Sequence, residues 1–300
     1  MPIQVNYALL EQAVGETIQS ASTRLPEDVT AALKQAQQLE TEPSGRAALD
    51  AIIENIDLAA ELPSPICQDT GYPTFYINIP RAWDKEAVRE LTRRQLKAAT
   101  AAALLRPNAV DPLSGKNTGD NSGALYPAFY FDENNGDELT MKLLLKGGGS
   151  ENVSCQYKLP HPPLGAGRDL DGVEKVVLDG IFEAQGFGCG PGIIGVAIGG
   201  DRTQSYALAK KQLLRPLDDG AELPELAALE ERLVEKANKL GIGAMGFGGA
   251  TTVLGVKAAC AHRHPASYFV TIAYGCWALR RKCLRFAPDG YHIGDQEVQR

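Results

Sequence analysis

The chain is short of most features that would place it outside the ordinary soluble enzymes. No apolar run approaches the length of a membrane span; the longest, such as Ile193–Ile198 and Phe269–Tyr274, stop far short of about 20 residues. Met1–Leu10 lacks the basic start and apolar core of a signal peptide. Basic residues are not in excess: 30 Lys and Arg face 37 Asp and Glu, a net charge of −7, which argues against a polyanionic partner such as nucleic acid. Internal repeats, low-complexity tracts and evident linkers are missing. The six cysteines form neither a compact CxxC zinc motif nor a ferredoxin run. Without an export signal they are expected in a reducing cytoplasm, as metal ligands, catalytic groups or core fillers instead of a disulfide framework.

What is present is a conventional core-forming sequence, 44% hydrophobic and 22% charged over 300 residues. Apolar residues at helical spacing predict helices over Glu27–Leu39, Ser44–Leu62 with Ser44 as N-cap, and Asp84–Leu105 capped by Asp84. A Pro- and Gly-bracketed loop, Ser64–Thr74, leads into a strand at Phe75–Ile79. The middle reads as β-rich. Leu125–Phe131 and Glu138–Leu145 flank Asn134-Asn135-Gly136, which predicts a hairpin. Val153, Cys155 and Tyr157 alternate as in a strand. A helix through Val173, Val177 and Ile181 follows, then a glycine loop, a buried strand at Ile193–Ile198, helices near Thr203–Leu214 and Pro224–Leu240, and a strand at Tyr268–Ala273. The economical reading is a single α+β domain, residues 1–300, with mixed helices and antiparallel or mixed sheets.

The cysteines divide by context. Cys155 in its strand pattern, Cys260 in an expected helix at Lys257–His262 and Cys283 in a strand-like tail read as core or semi-core residues. Cys67, Cys189 and Cys276 each lie in a turn-rich loop at the end of a regular element, with glycine nearby that lets backbone approach a bulky centre. Their spacing alone does not make them one site.

Four ordered motifs do more. Pro65-Ile-Cys-Gln-Asp-Thr-Gly71, Gly147-Gly-Gly-Ser-Glu-Asn152, Gly190-Pro-Gly-Ile-Ile-Gly-Val-Ala-Ile-Gly-Gly200, and His264-Pro-Ala-Ser followed by Gly275-Cys-Trp-Ala-Leu-Arg-Arg281 resemble the iron–sulfur (class I) fumarase and tartrate dehydratase family, and specifically its separate α subunits. The resemblance covers nearly the whole chain. It implies a hydro-lyase domain carrying a [4Fe–4S] cluster on Cys67, Cys189 and Cys276. Three thiolates leave one iron open to bind substrate oxygens as a Lewis acid. The resemblance also implies Asp69 and His264 as catalytic groups, and Gln68, Arg106 and Gly149 as binding groups for a small dicarboxylate; an Arg pairs bidentately with a carboxylate. The implied reaction is fumarate to malate, with tartrate or mesaconate as alternative substrates. An electron carrier or a zinc module on the same cysteines is the competing class.

Single-chain members of that family carry a second domain with further catalytic groups, including a threonine base. Here the sequence stops soon after Cys276, so the expected partner is a separate β subunit, in an α2β2 heterotetramer. The remaining motifs have blander readings. Gly241-Ile-Gly-Ala-Met-Gly246 spells a dinucleotide fingerprint but follows a helix, so Gly241 is read as a helix terminator. Gly248–Thr252 receives no role. Arg280-Arg281-Lys282 is read as a solvated charge cluster, with contact to substrate or a partner as the alternative. His161 and His262 are expected to be surface or structural.

Overall fold

A computed structural model describes residues 5–296. In chain order the elements are α1 (Tyr7–Thr23), α2 (Glu27–Leu39), α3 (Pro43–Glu61), β1 (Tyr72–Pro80), α4 (Lys85–Ala101), β2 (Ala128–Asn134), β3 (Leu139–Lys146), α5 (Gly148–Asn152), β4 (Cys155–Lys158), α6 (Leu170–Ala184), β5 (Gly192–Gly199), α7 (Arg202–Gln212), α8 (Pro224–Asn238), β6 (Val253–Ala261), β7 (Phe269–Gly275), β8 (Arg280–Ala287) and β9 (Gly290–Gly294). This is an α+β chain with mixed sheets, as its sequence predicts. Its contacts cluster into two compact units built from interleaved segments: 1–27, 55–146 and 280–300 in one, 28–54 and 147–279 in the other. No helix among the described residues is long and apolar enough to cross a membrane.

The first unit holds a five-stranded sheet in the order β2-β1-β3-β8-β9, with β1 and β2 parallel and the other pairs antiparallel. Phe75, Ile77 and Ile79 of β1 alternate with outward residues, as do Leu139, Met141, Leu143 and Leu145 of β3. Both rows pack with Leu10, Val14 and Ile18 of α1 and Val88 and Leu91 of α4. Asp84 caps α4 as predicted, its carboxylate accepting from the Glu86 and Ala87 amides. Ser44 does not cap α3: the helix already starts at Pro43, whose missing N–H suits the first turn.

The Asn134-Asn135-Gly136 turn is present, with Asn134 Oδ1 accepting from Gly136 N at 2.9 Å, but the strands it joins do not pair. β1 lies between β2 and β3, and the turn crosses over its end. There Asn134 Nδ2 donates to Asn78 Oδ1 at 3.1 Å and Arg81 N donates to Asn134 O at 3.1 Å. The hairpin expectation fails because a strand from earlier in the chain supplies better-matched partners on both sides.

The second unit holds a four-stranded sheet, β4-β7-β5-β6, with β5 and β6 parallel. One face packs Ile194, Val196, Ile198 and Ile272 against Val173, Val177 and Ile181 of α6 and Leu229 and Leu233 of α8. α7 covers the other face so closely that a side chain at Gly195 would strike the Ala209 carbonyl. β5 is therefore buried throughout, as its uninterrupted apolar run predicts. Cys260 is not helical. Parallel pairing of Val253–Ala261 with β5 overrides the helical propensity of its alanines. Gly241, at φ +67°, lies in the turn that ends α8 and donates back to Asn238 O at 3.3 Å.

Candidate active site

Four of the predicted site residues lie in the first unit. The loop carrying Cys67, Gln68 and Asp69 is tied down at both ends. Ile66 N donates to Ser22 O at 3.0 Å, and Asn55 Nδ2 donates to Ile66 O at 2.8 Å. Gly71 N donates to Asp69 Oδ1 at 3.0 Å, closing an Asx turn, and Arg280 Nη2 donates to Asp69 O at 2.8 Å. Asp69-Thr-Gly71 thus forms a turn that engages one oxygen of the Asp69 carboxylate.

Thr70, 1% exposed, then joins this loop to the segment carrying Arg106. Its Oγ1 accepts from Arg106 N at 3.0 Å and from Asn108 Nδ2 at 3.1 Å. Buried Asn121 completes the seam, donating to Arg106 O at 2.7 Å and to Thr100 Oγ1 at 2.8 Å while accepting from Asn108 N at 2.8 Å. Cys67, Gln68, Asp69 and Arg106 are therefore gathered on one hydrogen-bonded frame. The Gln68 and Arg106 side chains are exposed on it and Cys67 and Asp69 half-buried.

Thr70, Asn108 and Asn121 are not singled out by the sequence. Thr70 sits inside the Asp-Thr-Gly turn, and nothing in residue type alone separates it from an ordinary turn residue. The basic run is the clearest correction. Arg280 and Arg281 are each 1% exposed and Lys282 8%, because they lie in β8 and pair with Leu145, Leu144 and Leu143 of β3 instead of lying in a solvated tail. Lys282 pairs with Asp295.

The second unit brings together Gly149, Cys189 and Cys276. The register of β5 and β7 sets Ile193 opposite Gly275, so the chain leaving β7 passes the loop entering β5. Trp277 N donates to Cys189 O at 3.1 Å, tying the two cysteine loops directly. Cys189 takes the left-handed conformation, φ +53° and ψ 58°, a strained choice for a residue with a side chain. Its amide donates to Gly186 O at 3.1 Å, and the next carbonyl, of Gly190, accepts from Met245 N at 3.0 Å. Gly149 lies in the first turn of α5, an ideal Cβ there being 3.7 Å from Phe187 O of the Cys189 loop.

The segment that received no role, Gly248–Thr252, supports this arrangement. The Glu40 carboxylate, 4% exposed, accepts from Thr41 N, Glu42 N and Ala250 N. Thr252 O accepts from Gly192 N at 2.9 Å, at the foot of the Cys189 loop.

His264 is placed elsewhere. It is exposed in the turn before β7, and its Nδ1 accepts from Ala266 N at 3.1 Å. Cys276 follows the far end of β7, about 20 Å along a seven-residue strand. Within this unit the structure does not bring His264 to the cysteine pair. His161 stacks edge-on to Tyr157, a structural role as expected.

All six cysteines are thiols, and Cys67, Cys189 and Cys276 are half-buried. Among the described residues, no three His, Cys, Asp or Glu side chains converge as they would on a single metal ion. A cubane is held at separate corners, so its ligands need not converge. Paired half-buried thiols on glycine-rich loops fit such a group.

Residues 11–285 match the family described as fumarate hydratase (Fumerase). The chain is 48% identical over 284 residues to a putative fumarate hydratase class I of Geobacillus stearothermophilus, covering 93% of this chain and 55% of that one. It is 38% identical to a putative L(+)-tartrate dehydratase subunit alpha of Methanocaldococcus jannaschii, covering 93% of this chain and 98% of the relative. With the L(+)-tartrate dehydratase subunit alpha of Escherichia coli (strain K12) the identity is 32%, over 93% and 91%. The chain thus spans about half of the Geobacillus protein but nearly all of each tartrate dehydratase subunit.

Proposed function

Since the chain belongs to the fumarate hydratase (Fumerase) family, we propose that it is the α subunit of an iron–sulfur hydro-lyase that interconverts fumarate and malate. The observation that carries this reading is the paired placement of Cys189 and Cys276, joined through Trp277 N, on loops whose motifs are those of the family. In this reading Cys67, Cys189 and Cys276 hold a [4Fe–4S] cluster. When bound, that cluster supplies an open iron as Lewis acid for the substrate's carboxylate and hydroxyl oxygens, with no redox change.

The chain's own residues do the rest. The Arg106 guanidinium pairs with one substrate carboxylate, and the frame of Thr70 and Asn121 fixes the backbone from which it projects. Gln68 offers an amide to the same substrate. Asp69, its turn oxygen engaged by Gly71 N, takes the position of a proton acceptor or donor beside the Cys67 loop. Gly149 places backbone beside the Cys189 loop, where a dicarboxylate can approach. For His264 the reading keeps no role at the Cys189–Cys276 pair, since its ring closes a turn at the other end of β7.

Residues 1–300 act in this reading as one catalytic module, equivalent to the N-terminal domain of a single-chain enzyme. A separate β subunit completes the site in an α2β2 assembly in the cytoplasm. A tartrate dehydratase α subunit is the second reading, favoured by the near full-length match to relatives named as such. The test is to load the chain anaerobically with iron and sulfide, with and without a β subunit, and assay fumarate, L-tartrate and mesaconate in parallel. Turnover of fumarate above the other two supports the first reading; preference for tartrate replaces it with the second. Failure of Cys67→Ser, Cys189→Ser and Cys276→Ser to lower iron content, while Cys155→Ser or Cys260→Ser does so, overturns the ligand assignment.

A further inference from the structure

Gly188, Gly190 and Gly192, the alternate glycines around Cys189, share one neighbour, Tyr274. An ideal Cβ at Gly188 would lie 2.5 Å from Tyr274 Cε1. One at Gly192 would lie 2.6 Å from its Cζ and 2.7 Å from its hydroxyl, and one at Gly190 would lie 3.4 Å from the hydroxyl. The phenol ring is therefore the floor on which the Cys189 loop is moulded. Side chains on that face of the loop are excluded by the ring itself.

The ring is fixed in turn. Tyr274 is 2% exposed, stands in β7 opposite Ile194, and its amide donates to Ser154 Oγ at 3.0 Å. A tyrosine hydroxyl carried into the interior ordinarily takes a hydrogen-bond partner. The hydroxyl lies beside Gly190, the neighbour of Cys189, and two residues along the chain from Cys276.

We infer that Tyr274 is a positioning residue whose hydroxyl donates a hydrogen bond to a sulfur atom of the iron–sulfur group held by Cys189 and Cys276. The inference rests on the proposed function for the presence of that group and adds to it a device that sets its stability. A donor to a cluster sulfur stabilises the more negative, reduced charge state, so it protects the centre against oxidation. The same ring packs against the glycines on either side of Cys189, so one side chain both shapes a ligand loop and faces what the ligand holds.

The experiment compares the full-length wild-type chain with Tyr274→Phe, which keeps the ring and removes only the hydroxyl. Both are loaded anaerobically, and iron and sulfide are counted. The midpoint potential is then followed by redox titration and the loss of visible absorption is timed in air. The expected result is equal iron and sulfide content, a lower midpoint potential, and bleaching faster by about fivefold, the factor one net hydrogen bond is worth. A second readout uses the wild type directly: iron–sulfur stretching bands in the resonance Raman spectrum should shift on exchange into deuterium oxide, and Tyr274→Phe should lose part of that shift. A purely structural tyrosine would move none of these. Unchanged potential, bleaching and isotope shift in a fully loaded Tyr274→Phe chain would overturn this inference alone. A wild-type chain that takes up no iron and sulfide would overturn it together with the proposed function.

Discussion

At the scale of single residues, the site is defined as much by what cannot be enlarged as by what could react. Gly188→Ala puts a methyl group against the Tyr274 ring. It is expected to destabilise the unloaded chain by about 1–3 kcal/mol, read as a fall in melting temperature. Gly220→Ala, with open space around it, serves as the control and should leave melting nearly unchanged. Arg106 makes a different prediction. Arg106→Ala should retain iron and sulfide but lower kcat/KM by about tenfold in the complete assembly, because it removes the bidentate charge-assisted contact with the substrate carboxylate, a hydrogen bond to a charged group being worth about 1.5–3 kcal/mol. Steady-state kinetics on the loaded enzyme decide it. Candidates for reaction stand out in the sequence because Cys, Asp, Gln and Arg announce their chemistry in turn-rich motifs. Thr70, Asn121, Glu40 and Tyr274 were not legible: each acts by where folding places it, and a buried threonine or tyrosine is written no differently from an exposed one.

Elements show the same division. Strong periodicity located α2, α4, α6, α8 and β5, because burial of one stripe or of a whole strand leaves a direct trace in residue order. The errors came from pairing. The Asn134 turn is a turn whichever strands it joins, and only the insertion of β1 between β2 and β3 denies it a hairpin. Likewise the alanines around Cys260 favour a helix until β5 offers them a parallel partner. Capping is local and therefore testable in isolation. Asp201 forms a complete capping box with Gln204 at the start of α7, and Asp201→Ala should cost about 1 kcal/mol in a denaturant titration.

A second test at this scale is electrostatic. Between α7 and α8, Arg215 pairs bidentately with Asp219 at 2.9 and 2.8 Å and reaches Glu230 at 2.8 Å; Lys257 Nζ lies 2.9 Å from Asp219. Burial pushes the Asp219 carboxyl up, but the hydrogen bonds and charges of Arg215 and Lys257 outweigh it, so the group titrates below its ordinary value. A carboxyl with a depressed folded pKa contributes stability above its unfolded pKa of about 4, and loses that contribution as the pH falls below it. Melting curves should show wild type losing stability over that acidic range. Asp219→Asn should be less stable than wild type at neutral pH and should close the gap as the pH falls.

For the whole molecule, the proposed function predicts that the loaded chain alone turns over fumarate poorly and that adding a β subunit restores activity. Closing the site between chains would exclude water and strengthen the contacts of Arg106 and Asp69 with substrate. Robust turnover by the α chain alone, not increased by the β subunit, would show that no partner is needed.

The interleaving of the two units carries a consequence for a shortened chain. All of the second unit, including both cysteines that meet through Trp277, is encoded by Leu279. The first unit is then still unfinished: β8, which sits inside its five-stranded sheet and supplies the Arg280 clamp on the Asp69 loop, has yet to appear. The loops of Cys189 and Cys276 therefore belong to a unit that is complete without the last strands, whereas the frame beneath Cys67 depends on them. A released chain ended after Leu279 should be alkylated faster at Cys67 than the full chain is, with the rates at Cys189 and Cys276 nearly unchanged.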